Sequence, residues 1–294
     1  KVLDTYNRME KIIGYNDDMT QAKVSIWLYM NKVKEAAGEY DQLIKMFPHN
    51  AEYYVKAGNI YQSNNMPAQA MEYYKKAQEL SSNDPQFNIT MANYWEQQGN
   101  SEKQVQCLMK VFGNSAVSMQ EKVPYMRTLL SKALRNKDTK ALRMADMLSD
   151  TLIAVHPDDA NGYAFKATAS TIQKKYELAL TNYEKAISID NAAYSLWDDY
   201  CFVLNQLDRW PNLLKYETDL QELFPQNARM LCNLGLAHLY SQHADKAIEY
   251  FMQAKTFAYE KEQLDVIYQG LAEAYKLKGD NDAADMWRKK MSKK

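Results

Sequence analysis

Chemistry in a protein rests on a few side-chain types at set spacings, so the histidines, cysteines and paired carboxylates come first. There are four histidines, His49, His156, His238 and His243. His49 follows Pro48 and His156 precedes Pro157, a turn context in which an imidazole caps a helix or meets solvent. His238 and His243 stand five apart, whereas two ligands on one helical face need a spacing of three or four. The three cysteines, Cys107, Cys201 and Cys232, are odd in number and make no C-x-x-C pair, so they read as buried thiols. Asp158-Asp159 and Asp198-Asp199 are adjacent acids, and adjacent residues leave a helix on different faces. The sequence has no H-E-x-x-H, no phosphate-cradling P-loop and no G-x-S-x-G. These residues imply no catalytic site, no metal and no cofactor.

Composition narrows the partners. Lys and Arg number 36 against 37 Asp and Glu, a net charge of −1, with lysines scattered among acids. No basic face with interleaved aromatics stands out, which argues against nucleic acid. No apolar run approaches the roughly 18 residues of a membrane span. The sequence begins at Lys1 rather than Met and contains no leader, which points to an upstream segment removed or left out. On that ground a bacterial cell envelope or periplasm is favoured over the cytoplasm. Only 9 Gly and 7 Pro in 294 residues argue against a loop-rich or β-rich fold.

The elements that would position these side chains are helical. Residues 228–261 read ARMLCNLGLAHLYSQHADKAIEYFMQAKTFAYEK. Leu231, Leu234, Gly235 and His238 share one helical stripe. Gln242 marks a polar turn, and a second stripe runs through Ala247, Phe251 and Ala254. The pattern recurs every 34 residues. Residues 51–84 repeat it with Tyr54, Ala57, Gly58, Tyr61, Ala70, Tyr74 and Ala77; residues 160–193 with Tyr163, Ala167, Ala179, Tyr183 and Ala186. Phe47-Pro48-His49-Asn50-Ala51 nearly recurs as Phe224-Pro225-Gln226-Asn227-Ala228. Pro67 and Asp84-Pro85 mark helix starts.

This pattern resembles the tetratricopeptide (TPR) repeat. The resemblance implies an all-α fold, a right-handed superhelical solenoid of antiparallel helix pairs with about seven to eight repeats. A two-helix repeat cannot bury its apolar stripe alone, so neighbours stack. Gly58, Ala92, Ala167, Cys201, Gly235 and Ala272 fall at one equivalent position, where small side chains let paired helices approach. Tyr61, Tyr74, Tyr183 and Tyr275 take structural positions. Residues 1–16 read as a half repeat, a lone helix serving as an N-terminal lid or the end of a truncated repeat, with Gly14 as its stop. Residues 17–118 form an N-terminal sub-array of three repeats. Residues 114–125 carry about seven extra residues, with a capping box at Ser118 and Glu121. Residues 119–294 form a C-terminal sub-array of five pairs, closed by a terminal helix with Arg288 where an aromatic is expected. The basic tail 291–294 is expected to fray.

What the family resemblance implies about function is binding. In TPR proteins the inner wall comes from the first helix of each repeat. In the last three repeats that wall includes Asp198, Phe202, Asn205 and Gln206, then Arg229, Cys232, Leu236 and Tyr240, then Gln269, Glu273 and Lys276. The mixture of aromatic, apolar and amide groups suits a peptide. The Lys and Asn set that grips a terminal carboxylate in TPR co-chaperones is not carried by any three consecutive repeats; Asn59 matches one position, but Val55 stands where its Lys would be. The expected function is a non-enzymatic scaffold holding a protein or peptide partner of unspecified identity in a concave groove. The alternative is a structural component whose array ends dock into a larger complex or self-associate through the N-terminal half repeat.

Overall fold

In the computed structural model, which describes residues 1–291, seventeen α-helices and one 3₁₀ segment occur and no strand is present among the described residues. A single helix, α1 (Val2–Ile13), precedes α2 (Asp17–Tyr29) and α3 (Val33–Met46), α4 (Ala51–Ser63) and α5 (Pro67–Ser81), and α6 (Pro85–Gln97) and α7 (Ser101–Phe112). Next come α8 (Met119–Asn136) and α9 (Thr139–Val155), then α10 (Ala160–Ile172) and α11 (Tyr176–Ile189). α12 (Tyr194–Gln206) is followed by the 3₁₀ segment Trp210–Tyr216 and α13 (Glu217–Leu223). The last pairs are α14 (Ala228–Tyr240) with α15 (Ala244–Phe257), and α16 (Lys261–Lys278) with α17 (Asn281–Met291). The chain divides into two compact units, Lys1–Pro124 and Tyr125–Lys294. Most of the tail expected to fray, 292–294, lies outside the described residues.

Local chemistry sets the helix ends. Asn16, Asn50, Asp84, Asp159 and Asn227 each accept a backbone N–H of the helix that follows, at 2.7–3.0 Å. Pro67 and Pro85 open their helices, where a missing N–H costs little. The turns between paired helices share one device. Asn31, Asn65, Gly99, Lys174, Asp208, Gln242 and Gly279 all have positive φ. The next residue donates its N–H five residues back, as in Met66 to Tyr61 and His243 to His238, both at 2.9 Å. This closing bond satisfies a carbonyl that the helix end leaves free.

In the first unit the core stacks Tyr40, Leu43, Ala57, Tyr74 and Ala77. A Cβ built on Gly58 would stand 2.5 Å from the Tyr74 ring. Tyr74 also donates its hydroxyl to Asn59 at 2.7 Å. α1 docks through charge: Lys23 Nζ lies 3.0 Å from Glu10 and 2.5 Å from Glu39, with all three side chains largely buried. Glu39 accepts the Trp27 indole N–H at 2.6 Å as well.

In the second unit the core runs through Trp197, Tyr200, Leu204, Leu213, Leu231, Phe251 and Leu271. The other members of the small-residue set, Ala92 in the first unit and Ala167, Cys201 and Ala272 in the second, are buried too.

Three expectations need correction. The seven surplus residues do not sit in 114–125. Helix starts at 17, 51, 85 and 119 keep the 34-residue step, and the extra length is in α8 and α9, 18 and 17 residues against 13 in α4 and α6. The Ser118–Glu121 pairing does form, with Glu121 accepting both the N–H and the hydroxyl of Ser118 at 3.1 Å. Secondly, the partner of α12 is not one regular helix. Trp210, Leu213 and Tyr216 recur every third residue, the period of a 3₁₀ helix, and this puts Trp210 and Leu213 into the core together. Thirdly, α17 does bury an aromatic: Trp287 stacks on Tyr268 at 5.6 Å, one residue before Arg288.

Candidate partner-binding groove

The residues expected to form the inner wall lie on three helices of the second unit. On α12, Asp198 is bridged to Arg229 of α14, Oδ1 to Nε at 2.8 Å. Asn205 Oδ1 accepts the Trp210 indole N–H at 3.3 Å. Gln206 is exposed, and Phe202 is about half exposed. On α14, Cys232 is buried rather than open to the surface; burial pushes its thiol up to about 12, against the opposing charge of Arg229. Leu236 is half-buried, while Tyr240 is 49% exposed.

The structure brings five of the eleven together. Leu236 and Tyr240 of α14 face Gln269, Glu273 and Lys276 of α16 across an open cleft of about 680 Å³. The lining includes Gly270, where an added Cβ would stand 2.4 Å from the buried Phe251 ring, so this glycine lets α16 pack closely on α15 behind the cleft. Glu273 is bridged to Arg288 at 3.4 Å. Asp198, Phe202, Asn205, Gln206, Arg229 and Cys232 are not among the residues lining this cleft. Sequence reasoning missed Leu239, Val266 and Leu277, which supply the rest of the apolar wall. Val266 and Leu277 are exposed apolar residues on a first helix, which was their signal, whereas Leu239 also packs against the core and carried none. α16 starts at Lys261 and is 18 residues long, and Val266 lies ahead of the expected wall positions on it.

A second cleft of about 380 Å³ lies between α8, α10 and α12, with Arg127, Asn161, Thr168 and Asp199 on its walls. Burial raises the Asp199 carboxyl and the neighbouring Asp198 adds to this, while the Tyr183 hydroxyl opposes it.

The two histidines five apart share no helical face, yet they meet. The turn that closes α14 folds back, and His238 Nδ1 comes within 3.4 Å of His243 Nδ1. His238 Nε2 lies 3.1 Å from Glu217, which also accepts the Tyr250 hydroxyl at 2.5 Å. Burial raises the Glu217 carboxyl, but hydrogen bonds from Tyr250 and His238 outweigh it, and the net shift is downward. The network ties the short α13 to α14 and α15. No group of three or more metal-ligating side chains occurs among the described residues, and no described helix is long and apolar enough to cross a membrane.

Helix pairs that mostly keep a 34-residue step, closed by a recurring turn and spaced by small residues, define a helical repeat array. Two sequence families, both described as tetratricopeptide repeat, match it, one over residues 27–85 and the other over 160–192 and 228–260. Over these segments the chain carries tetratricopeptide repeats. No curated protein matches it in sequence. Among solved structures, the MamA RS-1 ArsTM double mutant is 20% identical, covering 59% of this chain and 94% of its own, with a TM-score of 0.49. A tetratricopeptide repeat protein from Parabacteroides merdae is 14% identical over 87% of this chain and 98% of its own, TM-score 0.36. YrrB, described as a TPR protein with an unusual peptide-binding site, is 15% identical over 86% and 100%, TM-score 0.36.

Proposed function

We propose that this chain is a non-enzymatic scaffold that binds a protein or peptide partner along the first helices of its C-terminal repeats, with the α14–α16 cleft as the principal site. The supporting observation is the cleft itself: apolar, amide and charged side chains converge on it, and two walls of rigid helix hold them. Phe202 extends the surface beyond the cleft. Affinity recovery of a partner by wild type and by Phe202→Glu plus Tyr240→Glu tests the reading. Recovery should fall while the far-UV spectrum and melting temperature stay unchanged; equal recovery by a folded variant removes the site.

A second reading has its own observation. On α1, Val2, Ile12 and Ile13 are 60%, 81% and 64% exposed, and Met9 is partly exposed. An apolar surface of this kind suits end-docking or self-association. Sedimentation at rising concentration tests it, and a strictly monomeric chain up to high concentration would eliminate self-association.

A further inference from the structure

We infer that His238 and His243 form a chelate for a divalent transition-metal ion of the zinc or copper class, bound through their two Nδ1 atoms at the turn that joins α14 to α15. The two nitrogens are 3.4 Å apart. That is longer than the roughly 2.7–3.2 Å usual for a bond from an N–H donor. It is the span between two corners of a metal tetrahedron. Zinc–nitrogen bonds of about 2.0–2.1 Å that end on atoms 3.4 Å apart enclose an angle of about 110°. The ring centroids are 5.6 Å apart, well beyond the nitrogens, so both Nδ1 atoms lie on the facing sides of their rings.

The surrounding network readies His238 for this. Glu217 Oε1 lies 3.1 Å from His238 Nε2 and accepts the Tyr250 hydroxyl at 2.5 Å. An ionised carboxylate only accepts, so His238 Nε2 carries the proton and its Nδ1 presents a lone pair to the gap. A carboxylate behind a histidine in this way fixes the ring and strengthens it as a metal donor. His238 is buried and stacks on Tyr250 at 5.3 Å, which holds the ring in place. His243 is exposed, so its ring can turn onto an ion arriving from solvent. The lysines at the start of α15 do not bar a dication: Lys246 is bridged to Glu249 at 3.3 Å, and Lys278 to Asp245 at 2.6 Å. Two protein donors leave the other positions to water, which makes this an exchangeable site rather than a closed structural one. Imidazole donors select copper, zinc or nickel over magnesium and calcium, which take oxygen.

The test is isothermal titration of the full chain with Zn²⁺ and, separately, with Cu²⁺ in a buffer free of chelators. Wild type should take up one ion per chain, Cu²⁺ more tightly than Zn²⁺, and excess Mg²⁺ should not displace either. Its melting temperature should rise with added Zn²⁺. His243→Ala removes an exposed side chain and should fold as wild type does. It should weaken uptake by at least about tenfold and abolish the rise in melting temperature. Glu217→Gln keeps both nitrogen donors and should weaken uptake about tenfold. His49→Ala, at a separate turn, should bind as wild type. No uptake by wild type, equal uptake by His243→Ala, loss of uptake in His49→Ala, or displacement by Mg²⁺ overturns the inference. Equal affinity in a folded Glu217→Gln protein overturns the role given to the carboxylate.

Discussion

The ring of Phe251 lies so close to Gly235 that a Cβ added to the glycine would stand 2.8 Å from Cδ1 and Cε1. From Gly270 the same ring would be met at 2.4 Å. Phe251 is fully buried, so the clash falls on a ring held by its surroundings rather than on the free end of a flexible side chain.

Two effects oppose each other when such a glycine is replaced. Alanine gains about 1 kcal/mol of helix propensity over glycine. Overpacking a tight core costs about 1–3 kcal/mol. At 2.8 Å the packing cost wins, so Gly235→Ala is expected to destabilise slightly and Gly235→Leu by at least about 2 kcal/mol. Gly58→Ala should behave alike, because its Cβ would meet Tyr74 at 2.5 Å. Urea midpoints at constant slope check both. A more stable Gly235→Ala protein would show that the paired helices can part at that crossing.

The recurring turn gives a prediction of opposite sign. Lys174 and Gln242 hold φ of 60° and 64°, where a Cβ is strained, while Gly99 takes φ 68° without strain. Lys174→Gly is expected to stabilise by about 0.5–1 kcal/mol, the relief of strain exceeding the extra freedom of glycine in the unfolded chain. Gly99→Ala should lose about 1 kcal/mol. The pair is to be compared by thermal unfolding. If both variants shift in the same direction, backbone strain is not what distinguishes these turns.

Such contrasts show what the residues told in advance. Asp84-Pro85 announces a helix because its cap and its proline act within one turn, and Gly235 announces a close crossing because few other residues fit one. Five of the wall residues met in one cleft because first-helix positions recur with the repeat. Long-range consequences were harder to see. The surplus after Gly113 looked like an inserted loop, since nothing local says that α8 and α9 simply run longer. Pro211 and a three-residue spacing of bulky side chains turned an expected α-helix into a 3₁₀ segment. His238 and His243 are too far apart to share a helical face, yet the turn between them brings the rings together. The Glu10–Lys23 pair joins residues 13 apart on separate helices, and no pattern within either helix marks it.

Tyrosines make stability sensitive to alkali. Burial pushes the Tyr40 hydroxyl up to about 12, with Asp17 adding to it. Burial raises Tyr74, Tyr183 and Tyr200 as well. A group whose pKa is higher folded than unfolded contributes stability that is complete below its unfolded value, near 10 for tyrosine. That contribution is lost as pH rises through the folded value. Stability to urea should therefore be level with respect to these groups up to about pH 9–10 and fall steeply above it. Tyrosinate absorbance should lag behind a free-tyrosine reference until unfolding begins. A normal titration in the folded protein would refute the burial of these hydroxyls.

Lys23 offers the sharpest local test, because one ammonium group serves Glu10 of α1 and Glu39 of α3. Burial lowers its pKa, but the hydrogen bonds and charges of Glu39 and Glu10 outweigh this, and the net shift is upward. Its contribution is thus present below the unfolded lysine value and is lost only as pH rises through the higher folded one. Lys23→Met keeps the stem but leaves two carboxylates facing one another without a cation. Removing one partner of a buried pair costs about 3–5 kcal/mol where the structure cannot relax. Here it can relax locally, since Val2, Ile12 and Ile13 of α1 are already exposed. The expected outcome is detachment of α1: its amides should lose hydrogen-exchange protection, while those of α4 to α7 keep theirs. The double variant Lys23→Met with Glu10→Gln should recover part of that protection, because one of the stranded charges is gone. Uniform loss across the whole first unit in Lys23→Met would mean that the ion pair supports the array itself and not merely α1.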